Sequence, residues 1–152
     1  MRSKSGIKIR GVLTYEARDL EGRLVQAGRS KNLVVNSGLN LIRDMVAGDF
    51  HKAPSHLWIG TNTTAAAATD TTATITAPYK KIITARTRMD KSVSIQTFIG
   101  TSEGNGVTYN EAGMVTTFNG TDTLFARTVI TPIVKTASIS VTLTWVFTLG
   151  AS

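Results

Sequence analysis

From Ser138 to Leu149 the chain alternates without a break. Ile139, Val141, Leu143, Trp145, Phe147 and Leu149 fall on one side, and Ser138, Ser140, Thr142, Thr144, Val146 and Thr148 on the other. Successive side chains of a strand point to opposite faces, so this stretch fits a sheet that is apolar on one face and mostly hydroxyl-bearing on the other. A helix would scatter the same residues around its circumference. The opening of the chain follows the same rule: Ile7, Ile9, Leu13 and Tyr15 interleave with Lys8, Arg10, Val12 and Thr14, interrupted only by Gly11. Asp19-Leu-Glu-Gly22 reads as a turn and Arg23-Leu-Val-Gln as the returning strand, which predicts an opening hairpin.

One segment breaks this pattern. Leu33-Val34-Val35 is a short apolar run, Asn36 or Ser37 is positioned to cap a helix, and Leu39, Ile42, Met45 and Val46 recur on one helical face. Gly48 supplies the stop, so a single short helix is predicted over about 37–47. Residues 49–56 read as a loop, with Pro54 opposing helix continuation, and Leu57-Trp-Ile-Gly60 as a short strand. Further on, Tyr79 to Met89 and Lys91 to Ile99 alternate around Met89-Asp90 and predict a second hairpin. Ala112 to Phe118 and Thr123 to Thr131 read as strands beside turn clusters at 101–106 and 119–122. Short strands separated by turn signals predict a mainly β domain, an antiparallel sandwich or barrel decorated by one helix.

Residues 61–77 stand apart, because fourteen of the seventeen are Thr or Ala and only Ile75 has appreciable apolar bulk. Such a segment offers little surface to offset its ordering entropy. It reads as a mobile loop or as an arm that orders along a partner. The whole of 1–152 is read as one domain, with a basic extension at 1–6 and this loop or arm at 61–77. The N-terminus lacks the continuous apolar stretch of an export signal and no run is long enough to span a bilayer, so a soluble, unexported chain is expected. The absence of cysteine excludes disulfides and thiolate metal sites.

The formal charge of +7 is concentrated in two places. Residues 2–31 carry a balance of +5 and residues 80–91 a balance of +4, while the remainder is slightly acidic. Positive stretches on a nearly neutral body point to an acidic partner, and the candidate contact residues are Arg2, Lys4, Lys8, Arg10, Lys80, Lys81, Arg86 and Arg88. Nucleic acid is the weaker fit, since Tyr15 and Tyr79 are the only aromatics near these stretches and single-strand binders interleave cations with stacking rings.

Catalytic signals are sparse. Asp49, His51 and His56 share one loop, but their spacing matches no helix or strand register that would preorganise metal ligands, so no metal or cofactor is expected. No nucleophile elbow or phosphate-binding glycine loop with its lysine occurs, and Glu103 and Glu111 would meet as an acid–base pair only by accident of folding. A non-enzymatic protein is expected.

The stretch 32–48, Glu111-Ala-Gly-Met, Leu124-Phe-Ala-Arg, Lys135-Thr and Thr144-Trp-Val-Phe together resemble structural proteins of tailed-bacteriophage virions. Collar, tail-fibre and head-decoration components share such patterns. The resemblance implies a small β-rich capsid decoration, or cement, protein, often trimeric, seated outside the major capsid lattice of the virion. Its partner would be the major capsid protein or another virion protein. A tail, collar or fibre component and a nucleic-acid-binding protein are the alternatives.

Overall fold

The computed structural model describes residues 6–151. Two five-stranded antiparallel sheets face one another, as the alternation predicts. The first is ordered β2-β1-β10-β7-β6 and the second β3-β9-β8-β4-β5. The strands are β1 (Ile7–Arg18), β2 (Leu24–Lys31), β3 (Leu33–Val34), β4 (His56–Gly60), β5 (Tyr79–Ile82), β6 (Ala85–Met89), β7 (Ser92–Ile99), β8 (Val107–Phe118), β9 (Thr121–Lys135) and β10 (Ser140–Ala151). The helix α1 spans Asn36–Val46, one residue earlier at each end than predicted. The extension at 1–6, with Arg2 and Lys4, lies outside the described residues apart from Gly6.

The opening hairpin turns where the sequence placed it. The Asp19 carboxylate accepts from the backbone N–H groups of Glu21 and Arg23 at 3.0 and 2.9 Å, and Gly22 adopts the left-handed φ of 80° that the turn requires. These bonds, that from the Arg23 N–H foremost, hold the Asp19 carboxyl below its ordinary pKa. β1 then pairs β10 along its full length, from Ile7 opposite Ala151 to Arg18 opposite Ser140.

Between the sheets lies the principal core. Leu13, Tyr15, Leu143 and Trp145 from the first sheet meet Leu57, Ile59, Met114 and Ile133 from the second, all buried. The inward face of β10 is the one the alternation marked.

A second, smaller core sits on the outer face of the β3-containing sheet. There Val35, Trp58, Val115 and Leu124 gather around Ile75. Residues 61–77 fold back as a roof over this face of their own chain. Sequence composition undervalued two contributions. Ile75 alone is 96% buried by exposure of 4%, seated above Gly60 and Gly113, where a Cβ would collide with it. Polar pins supply the rest, as described below.

The helix also departs from expectation in its details. Neither Asn36 nor Ser37 caps it: Val35 holds the cap position, the Asn36 N–H donates to the Ala68 carbonyl of the roof at 2.8 Å, and the Ser37 hydroxyl donates to the Leu124 carbonyl at 2.6 Å. Its buried face is Gly38 and Leu41, with Ile42 and Met45 partly covered, whereas Leu39 and Val46 are exposed. The reason is Gly38, which lies so close to the Phe125 carbonyl that this contact sets the rotation of the helix.

Candidate interaction surface

Tyr79 to Met89 alternates as one run, but the structure cuts it in two. β5 pairs β4 in one sheet, the chain crosses at Ile83 and Thr84, and β6 pairs β7 in the other sheet. The basic stretch at 80–91 is therefore not a single patch.

Lys80 and Lys81 are engaged within the chain. Lys80 Nζ lies 4.1 Å from the centre of the Trp58 ring and 3.2 Å from an Asp122 carboxylate oxygen. Lys81 is paired with Glu103, whose carboxylate also accepts from the Tyr79 hydroxyl at 3.2 Å and the Gly100 N–H at 2.8 Å. The Lys81 hydrogen bond first, and then that from Gly100, hold the Glu103 carboxyl below its usual range. A depressed carboxyl stabilises the fold above its unfolded pKa and loses that effect as pH falls through the lowered folded value. Glu103→Gln is therefore expected to lower the denaturation midpoint at neutral pH, with the difference from the parent shrinking to nothing in acid. A difference independent of pH would show that the ionised form is not what matters.

Arg86 and Arg88 behave differently. They stand opposite Ile95 and Val93 of β7, so they occupy the inward side of β6, the last strand of its sheet. All five β6 residues are exposed. Among the described residues, neither arginine forms an ion pair or a side-chain hydrogen bond. Both line a cleft of about 470 Å³ whose walls are mainly apolar, with Ile42 and Met45 of α1 on one side and Ile9, Phe147 and Leu149 on the other. Lys91 and Asp90 complete the charged part of its lining.

Lys8 and Arg10 are exposed on the opposite face of the same sheet, because Ile9 between them points into the cleft. They flank a shallow depression with Thr148 and Gly150. The six candidate contact residues that fall among the described residues thus divide into an outer-face pair, two internally paired lysines, and two unpaired arginines at an apolar cleft.

The chain matches no family model, no curated protein and no solved structure.

Asp49, His51 and His56 do not gather as one ligand set. His51 stacks on Phe118 with ring centres 4.8 Å apart and sits 3.5 Å from Asp49, while the His56 ring bonds the Ser55 hydroxyl at 2.8 Å. Among the described residues, no three His, Asp or Glu side chains converge as a metal site. Glu103 and Glu111 do not act as a pair either, since each is held by its own cation.

Sequence reading missed the charged cluster under the roof. Glu111 and Arg127 are fully buried, with Arg127 Nε donating to a Glu111 oxygen at 2.7 Å. The second Glu111 oxygen accepts from the Asn62 and Thr76 N–H groups, both at 2.9 Å. Arg127 also donates to Asp70 at 3.0 Å and to the Thr64 carbonyl at 2.8 Å. The only signal in the sequence was a lone charge within each of two apolar strand runs. Among the described residues no helix is long and apolar enough to cross a membrane.

Proposed function

We propose that this chain is a non-enzymatic structural component of a tailed-phage virion, a capsid decoration protein that binds the outer surface of the major capsid lattice, as a trimer. The observation that carries this reading is the pair of exposed, unpaired arginines beside an apolar cleft on a rigid β-sandwich edge. A surface with uncompensated cations next to apolar walls suits an acidic protein partner, with charge governing encounter and register and apolar contact supplying affinity. Lys8 and Arg10 give a second cationic contact on the other face of that sheet. Repetition over a lattice turns such modest contacts into strong attachment. The resemblance of the 32–48, 111–114 and 144–147 segments to virion proteins supports the same assignment.

Mixing the purified protein with expanded empty heads should give saturable co-sedimentation at a fixed ratio to the capsid protein. Reversing Lys8 and Arg10 to Glu should weaken it. Recovery with tails and not with heads would replace this reading by a tail, collar or fibre role. Tight binding to DNA that collapses with added salt, without head binding, would replace it by nucleic-acid binding.

A further inference from the structure

The free edge of β6 poses a physical problem. An exposed edge strand presents unpaired backbone N–H and C=O groups to any passing strand, and proteins commonly block such edges with inward-pointing charges. Arg86 and Arg88 are such charges: a neutral strand added beside β6 would cover both guanidinium groups without compensating them. A strand bringing carboxylates to the facing positions meets no such obstacle. The edge is thus closed to most strands and open to one kind.

We infer that β6 is a docking edge, at which an extended segment of a partner virion protein adds to the first sheet, placing carboxylates opposite Arg86 and Arg88 and apolar side chains over the cleft. This rests on the binding role proposed above and names the partner's chemistry. In strand addition the backbone supplies affinity and alternate side chains supply specificity. Across an antiparallel or parallel pair, directly opposed residues share a face, so acids at alternate positions of the partner would meet both arginines. Further residues of that same face reach the apolar walls formed by Ile9, Ile42, Met45, Phe147 and Leu149. Asp90 is the one carboxylate in the cleft lining, against the three cations Arg86, Arg88 and Lys91, so the lining remains positive. Self-pairing of β6 with the β6 of a second copy is disfavoured, because it would oppose arginine to arginine. β5, the outer strand of the second sheet that carries Lys80 and Lys81, lacks this character, since both lysines already have acidic partners.

The test uses synthetic peptides with the full-length protein. One peptide carries glutamate at two successive positions of one strand face, leucine at the next two, and threonine on the other face; its control has glutamine for glutamate. The acidic peptide should bind at least about tenfold more tightly than the control. Arg86→Glu/Arg88→Glu should abolish that preference and leave the unfolding transition in place, because both side chains are exposed. Hydrogen exchange should slow at residues 85–89 on binding. Equal affinity for the two peptides, or protection confined to another strand, would overturn the inference. The peptide assay contains no capsid, so loss of head binding with peptide binding intact sinks only the decoration role. Head binding unaffected by the double arginine reversal sinks only the docking edge.

Discussion

Arg127→Ala is expected to destabilise the protein by about 3–5 kcal/mol, among the largest losses any single substitution here produces. The change strands the Glu111 carboxylate, which is fully buried, and removes the cation beside Asp70. Arg127 is also the side chain that ties β9 to the roof through Thr64 and Asp70. Its loss should loosen residues 61–77 along with lowering global stability. Denaturant unfolding gives the first quantity and amide exchange at Asn62 and Thr76, whose N–H groups rest on Glu111, gives the second. Arg127→Met combined with Glu111→Leu should recover part of the loss, because the orphaned charge leaves with its partner. A single-variant loss under about 1 kcal/mol, of the size found for exposed pairs, would mean that water reaches the cluster.

Trp145→Ala is expected to cost about 3–5 kcal/mol by leaving a cavity in the principal core. The indole is fully buried and stacked on Phe147, with ring centres 6.0 Å apart and planes within 8°. Its Nε1 has no hydrogen-bond partner among the described residues, so packing is what the substitution removes. Trp145→Phe should therefore retain much more stability than alanine does. Unfolding midpoints of the two variants decide the matter, and equal losses would show that the indole nitrogen has a partner after all.

These two sites differ in how visible they were from sequence. Trp145 sits in a run of strict alternation, and its burial follows from period two alone. Glu111 and Arg127 are legible only once β8 and β9 are paired, because their contact joins positions sixteen apart on neighbouring strands that carry a register shift nearby. The helix was visible as an element, but its rotation depended on the close approach of Gly38 to Phe125, a tertiary contact. The crossing at Ile83 and Thr84 was hidden for a different reason: alternation continues on both sides of it, so nothing in the pattern marks a change of sheet. That crossing decides which cations are held in internal pairs and which stand unpaired at the cleft. Charge counts over 80–91 therefore had no means of separating Lys80 and Lys81 from Arg86 and Arg88.

The pairing of β1 with β10 has a mechanical corollary. Ile7 stands opposite Ala151, so the two ends of the described chain depart from the same corner of the sheet. Tension applied between them would peel the ladder apart one rung at a time, starting at Ile7 and Ala151, where shear would have to break many rungs together. A load is better resisted if it enters this molecule through its flanks than through its ends.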